Sequence, residues 1–298
     1  MNGIAANRIA IIGLGLMGGS IGLGLRRCGF RGQVIGYARR EEVRTFAMEQ
    51  GMVDEATGAP ADAVRGADLV VLCLPILANA EILGVCRSAL APGCLVTDVG
   101  STKGDLERAV LPVLQGTGAL FVGSHPIAGS EQQGAEAARD DLYENALVVV
   151  TPPAAREAPE AVEQVCSFWR GLGARVETMS AEQHDAILGR TSHLPHLAAS
   201  ALALAVGRED NATALGAFCG PGFVDTTRVA EGSPSVWLDI IRTNRHNVVS
   251  ELTALSEAVA SFCDAVAAED DARVFELLRE AQQARQAIMQ RRNGTSGT

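Results

Sequence analysis

Between Arg8 and about Met179, short runs of aliphatic and β-branched residues recur along the chain: RIAIIG, QVIGY, ADLVVLCLP, CLVTDVG, LFVGSHP, LVVVT and ARVETM. Segments with helical spacing of apolar positions, such as Leu77–Leu90 and Pro159–Leu172, lie between them. The runs are nearly continuous in apolar residues, as strands covered on both faces must be, so the pattern predicts a doubly wound α/β sheet. Past Met179 the strand pattern stops. Ser180 stands three residues before Gln183, a spacing that lets each side chain accept or cap the other's backbone amide at a helix start. The segments Glu182–Val206, Val236–Val266 and Asp271–Arg292 are long, amphipathic and rich in Ala and Leu, which predicts an all-helical second domain. A boundary is therefore expected at 179/180, giving domains 1–179 and 180–298, with RNGTSGT as a frayed tail.

Composition adjusts this picture modestly. A chain of 298 residues, 47% hydrophobic and 20% charged, is long enough for two ordinary cores. The net charge of -10, with no run of Lys or Arg, argues against nucleic acid or an anionic membrane as partner. An anionic substrate must then be held by local basic residues. The seven cysteines are scattered, without a C-x-x-C pair, and read as buried thiols of a reducing cytoplasm. The opening MNGIAANRIAIIGLG has no basic region followed by a cleavage site, and no apolar stretch is long and glycine-free enough to span a bilayer, so a soluble cytoplasmic protein is expected.

The first strand runs into G-x-G-x-x-G at Gly13, Gly15 and Gly18. In that pattern the first glycine makes the tight turn, the second lets the backbone approach a pyrophosphate and the third lets helix and strand close-pack. Strand, helix and a second strand all fall where a Rossmann-type dinucleotide site requires them. Leu16 and Met17, at the helix start, and Leu74 and Pro75, at the end of the ADLVVLCLP run, are further expected cofactor contacts. The second strand ends Gly36-Tyr37-Ala38-Arg39-Arg40, where an NAD site usually carries an acid for the ribose hydroxyls. Arg39 and Arg40 suit a 2′-phosphate and point to NADP, with NAD as the alternative; the competing reading makes them the solvated start of the next helix.

Polar residues gather in four further strings: Thr97 to Gly104 (TDVGSTKG), Gly123 to Glu131 (GSHPIAGSE), Thr191 to His196 (TSHLPH) and Gly222 to Arg228 (GFVDTTR). In order and spacing, from Arg8 to about Asn247, the chain resembles prephenate and arogenate dehydrogenases. The resemblance implies a Rossmann-type domain followed by a helical dimerisation domain, and oxidative decarboxylation of a cyclohexadiene to a phenol in tyrosine biosynthesis. It implies that His125 accepts the proton of the ring 4-hydroxyl as hydride leaves that carbon, and that Ser101 bonds the same hydroxyl or the nicotinamide amide. By the same likeness His196, with His193 second, contacts the substrate, and Arg228 grips a substrate carboxylate.

Each of these residues has a plainer reading. Ser101 would serve as a helix cap, His193 and His196 as satisfied core histidines, and Arg228 as the i, i+3 partner of Asp225. His184 reads as core outright, and Trp237 as an anchor of its helix rather than a cofactor contact. His193 and His196 share one helix face, with Pro195 between them kinking the helix. No neighbouring carboxylate or thiol completes a metal set around them. Val224 departs from relatives that carry a basic residue there, which leaves prephenate and arogenate open.

Three other readings compete with this one. A non-enzymatic NADP sensor would lack the His125 and Arg228 strings. A β-hydroxyacid or 6-phosphogluconate type dehydrogenase normally uses a lysine of its helical domain, and here no lysine follows Lys103. A relative acting on 4-amino-4-deoxyprephenate stays compatible. The apolar faces of the helices after Met179 predict a homodimer. With no strand pattern behind them for a regulatory amino-acid-binding domain, inhibition by tyrosine is expected to be competitive.

Overall fold

The computed structural model describes residues 4–128, 132–153, 158–208 and 215–294, with side chains to residue 290. Gly129, Ser130 and Glu131, which end the GSHPIAGSE string, lie outside the described residues.

Six parallel strands form the main sheet in the order β3-β2-β1-β4-β5-β6: β1 (Arg8–Ile12), β2 (Gln33–Tyr37), β3 (Glu55–Thr57), β4 (Leu69–Leu72), β5 (Leu95–Asp98) and β6 (Leu120–Phe121). Helices α1 (Leu16–Arg27), α2 (Glu41–Glu49), α3 (Pro60–Val64), α4 (Ile76–Cys86) and α5 (Gly104–Leu114) connect them. This is the strand order of a Rossmann sheet, whose winding reverses between β1 and β4, and the crevice outside those two strand ends is where such sheets bind ligands. Both faces are covered. One core packs Ile9, Ile11 and Val71 with Ile21, Phe168 and Trp169, and the other packs Ala10, Ile12 and Val70 with Leu83, Leu106 and Ile240.

Two features depart from the sequence pattern. The edge strand β3 was not anticipated, because its three residues, EAT, carry no apolar run. The LFVGSHP run, expected as one strand, divides at Val122: β6 closes the parallel sheet and β7 (Gly123–Ile127) opens a second one. In that sheet β7 runs antiparallel to β8 (Leu147–Thr151), which pairs in parallel with β9 (Arg175–Thr178) after α6 (Pro159–Gly171). His125 lies within β7, opposite Val149.

The helical part begins at Ser180, whose hydroxyl accepts from the Gln183 amide at 3.1 Å while the Gln183 side chain accepts from the Ser180 amide at 3.1 Å. The expected helix Glu182–Val206 is α7 (Ala181–Leu188), a π-helical turn over Gly189–His193 and α8 (Leu194–Val206). Pro195 has no amide to give to the turn below it and its ring crowds that turn, so the ladder widens there. After α9 (Pro221–Thr227), the expected helix Val236–Val266 is likewise two: α10 (Pro234–Thr243) and α11 (Arg245–Ala267), parted at Asn244 with φ -128° and ψ 28°. The last helix, α12, covers Asp271–Gly294, so it runs past Arg292 into the segment expected to fray. By contacts the chain forms two compact units, 1–248 and 249–298.

Candidate active site

At the crevice the three glycines divide their tasks as the pattern requires. Gly13 has φ +112°, and a Cβ there would stand 2.7 Å from the Cys73 carbonyl oxygen. At Gly18 a Cβ would stand 1.9 Å from the Gly13 carbonyl oxygen, whereas at Gly15 it would meet nothing within 4 Å. Gly13 and Gly18 close the turn, and Gly15 faces open space. Helix α1 starts there with no side-chain cap and no acid in its first turn, leaving the first amides free for an anion. A cleft of about 570 Å³ continues from this point, lined by Gly15, Leu16, Met17, Leu74, Pro75 and Ser101, and on the far side by Trp237 and Asp239. These residues fit a dinucleotide: an open backbone for the pyrophosphate, an uncapped helix end, and apolar walls beyond.

Arg39 and Arg40 are exposed at the end of β2, outside the cleft lining. Arg44 Nη1 donates to the carbonyls of Ala38 and Arg39, both at 2.9 Å, and so shapes their turn. No carboxylate stands between Tyr37 and Arg40.

The residues around His125 are held by buried charge. The Asp98 carboxylate accepts from the amides of Gly100 (2.7 Å) and Ser124 (3.1 Å), the residues immediately before Gly100's neighbour Ser101 and before His125. It also pairs with Lys103, whose Nζ donates to the Ser124 carbonyl at 2.7 Å. Ser124 Oγ donates to the Asp98 carbonyl at 2.6 Å, and Trp169 Nε1 donates to Ser124 Oγ at 2.9 Å. One network thus ties the end of β5 to β7 and fixes the loop of Ser101 against the strand of His125. Ser101 caps no helix, since α5 starts at Gly104 with Lys103 as its N-cap; its residue lines the cleft.

His125 Nδ1 lies 2.8 Å from His184 Nε2, and His184 Nδ1 donates to Asp185 Oδ1 at 2.8 Å. His184 is fully buried, as its core reading has it, and both its ring nitrogens are bonded, one to His125 and one to Asp185. Asp185 Oδ1 and Oδ2 accept from the amides of Lys103 and Gly104, each at 2.8 Å, at the start of α5. Burial pushes His125 well below the ordinary imidazole value, and His184, Lys103 and His193 add to that. Burial raises the Asp185 carboxyl, but bonds from His184 and the Gly104 and Lys103 amides outweigh it and hold it below the usual range.

Asn244 Nδ2 donates to the Asp185 carbonyl at 2.8 Å and to His193 Nδ1 at 3.1 Å, while Asn244 Oδ1 accepts from Asn247 at 2.8 Å. A carbonyl can only accept, so the amide orientation is fixed and His193 Nδ1 is an acceptor. Neutral His193 must then carry its proton on Nε2, a buried donor with no partner among the described residues. Burial brings the pKa of this histidine down to about 4. His196 stacks on Trp237 with ring centroids 3.5 Å apart and planes at 11°, and its buried Nδ1 also has no partner among the described residues. Burial lowers His196 too, against a bond to the Val229 backbone. Trp237 packs against the core, as an anchor does, and also lines the cleft.

Arg228 is exposed, beside the Val229 that meets His196, and among the described residues it makes no ion pair with Asp225. It is not in the cleft lining. The cysteines are unbridged: Cys86, Cys94 and Cys166 are buried, Cys28, Cys73 and Cys219 partly so, and Cys263 is exposed. Cys73 lines the cleft, where burial raises its thiol. Among the described residues no helix is long and apolar enough to cross a membrane, and no group of three or more His, Cys, Asp or Glu is placed to hold a metal.

The chain matches two family models, the nucleotide-binding domain of prephenate dehydrogenase over residues 21–178 and the dimerization domain of prephenate dehydrogenase over residues 180–280. It is 34% identical to a cyclohexadienyl dehydrogenase of Zymomonas mobilis over 94% of this chain and 95% of that one. A prephenate dehydrogenase of Bacillus subtilis is 31% identical over 96% of this chain and 77% of its own length. Among solved structures, prephenate dehydrogenase from A. aeolicus, in complex with hydroxyphenyl propionate and NAD+, superposes with a TM-score of 0.87 at 33% identity, covering 96% of this chain and 99% of that one.

Proposed function

As the chain belongs to the prephenate dehydrogenase family, we propose that it is the dehydrogenase that oxidises and decarboxylates prephenate or arogenate on the route to tyrosine, with NADP preferred over NAD as the hydride acceptor. The observation that carries this reading is a buried, neutral imidazole, His125, tied through Asp98 to the loop that lines the dinucleotide cleft. A dinucleotide bound in that cleft supplies the hydride acceptor. His125 takes the proton of the ring 4-hydroxyl as hydrogen leaves the same carbon with its electron pair. The pair in the ring–carboxylate bond then enters the ring, CO₂ departs, and the phenolate oxygen recovers the proton from His125. Aromatisation drives the sequence, so the protein has to hold one base and one geometry.

Ser101 is the proposed partner of the substrate 4-hydroxyl or the nicotinamide amide, supported by its place in the cleft lining, and His196 and His193 are the proposed substrate contacts, supported by ring nitrogens left without partners among the described residues. Arg228 is the proposed clamp for a side-chain carboxylate; its exposed guanidinium, with no ion pair among the described residues, supports the role. Gly13, Gly15 and Gly18, with Leu16, Met17, Leu74 and Pro75, are the proposed cofactor contacts, and Arg39 and Arg40 those of its 2′-phosphate. The change from strands to helices after Thr178 supports cofactor and substrate/dimerisation domains at 1–179 and 180–298. Unbridged cysteines support a reducing, cytoplasmic setting.

His125→Asn tests the reading. With prephenate and arogenate assayed side by side, kcat should fall about 10²–10⁴-fold while dinucleotide affinity stays near wild type. A variant with near-normal kcat on its preferred substrate would place proton transfer elsewhere.

A further inference from the structure

A histidine works as a base through whichever ring nitrogen lacks a proton, so the chemistry of His125 depends on its tautomer. The neighbours of His125 decide it. Asp185 sits at the start of α5 with both carboxylate oxygens accepting backbone amides, a place where the helix end favours the ionised form. An ionised carboxylate can only accept, so His184 Nδ1 carries a proton and donates it to Asp185 Oδ1. A neutral His184 then has a bare Nε2, which can only accept. That nitrogen lies 2.8 Å from His125 Nδ1, which must therefore be the donor. The bare nitrogen of His125 is left as Nε2, away from the dyad.

We propose that His184 and Asp185 are positioning residues for the reaction: a carboxylate–imidazole pair that holds His125 in the Nδ1–H tautomer and presents Nε2 as the base. The inference rests on the reading of His125 as that base. The pair also prepares for the charge that follows, because once Nε2 gains a proton the Nδ1–H bond to His184 becomes charge-assisted and stronger. Asp185 need not be protonated at any stage, as in the serine hydrolase triads that orient a catalytic imidazole. The arrangement works only while His184 is neutral; a protonated His184 would donate from Nε2 and force the opposite tautomer on His125. Lys103 and His193, the other groups whose charge reaches His125, act on its charge and not on its tautomer.

Two substitutions at His184 separate orientation from packing. Gln places a carbonyl oxygen where Nε2 stood and keeps an acceptor for His125; Phe keeps a ring and removes the acceptor. His184→Gln should hold kcat within about tenfold of wild type, and His184→Phe should lower it about 10²-fold or more, with substrate KM and dinucleotide Kd unchanged in both. In the wild-type protein with ring-¹⁵N histidine at pH 8, the His125 Nε2 resonance, assigned by its absence in His125→Asn, should have the shift of an unprotonated nitrogen. A folded His184→Phe protein with wild-type kcat overturns the proposal, and so does a protonated Nε2 on resting His125. The ¹⁵N spectrum decides the matter even if the Phe variant does not fold. If His125→Asn loses activity while His184→Phe keeps it, the positioning pair alone falls; if His125→Asn keeps it, the base assignment falls first.

Discussion

His125 and His193 are kept neutral by burial, which gives the protein a defined response to acid. In the unfolded chain each imidazole takes its proton near 6.5, while in the fold His193 waits until about 4 and His125 lies well below 6.5. Between those limits the unfolded state binds more protons, so stability is complete above pH 6.5 and is lost as pH falls toward about 4, by about 1.4 kcal/mol per unit for each such histidine. The base form of His125 likewise persists below pH 6.5. The acid limb of log kcat/KM should therefore lie below pH 6.5 while the urea midpoint declines through the same range; an acid limb at or above 6.5 would contradict the depressed His125. Cofactor choice is decided by residues too. Wild type should show the higher kcat/KM with NADP, and Ala38→Asp with Arg39→Ala should shift preference to NAD; a wild-type preference for NAD defeats the assignment of Arg39 and Arg40. At this scale the glycines of the fingerprint were legible because their spacing is local. His184 and Asp185 were not, since what gives them meaning is a contact to His125 spanning 59 positions.

Among elements, the decisive piece of construction joins the end of β5 to β7. Asp98 and Lys103 are almost wholly buried, and removing one partner of a buried ion pair leaves the other uncompensated. Lys103→Met should lower the unfolding free energy by about 3–5 kcal/mol, measured by urea denaturation, and should disturb His125 through the lost bond to the Ser124 carbonyl. A Met variant as stable as wild type would mean that the pair contributes nothing net. The strands of the parallel sheet were readable from their apolar runs, and the helical part from its spacing and the Ser180 cap. What escaped were the places where a continuous pattern is physically interrupted. Nothing local in LFVGSHP signals that the chain changes sheet at Val122, and the apolar spacing of Val236–Val266 continues across Asn244 although that side chain is drawn inward to Asp185 and His193. Pro195 announced a kink, and the π-helical turn before it is the form the kink takes.

At the scale of the molecule, the unit 249–298 consists of the greater part of α11 and all of α12, and two helices make a meagre core. Among its described residues only Ala265 is a buried apolar side chain, while Val259, Val266, Phe275, Leu278 and Ile288 are each more than half exposed. So much apolar surface on two helices is costly to leave in water. A second copy of the same helices would cover it, since a two-fold axis lays each apolar face on its own counterpart. The region also matches the dimerization model of the family over residues 180–280. Sedimentation velocity at micromolar concentration should therefore give a dimer, and Val259→Glu with Phe275→Glu should shift it toward monomer or leave these helices unable to hold their fold. A wild-type protein that sediments as a monomer under those conditions would show that these faces are covered in some other way.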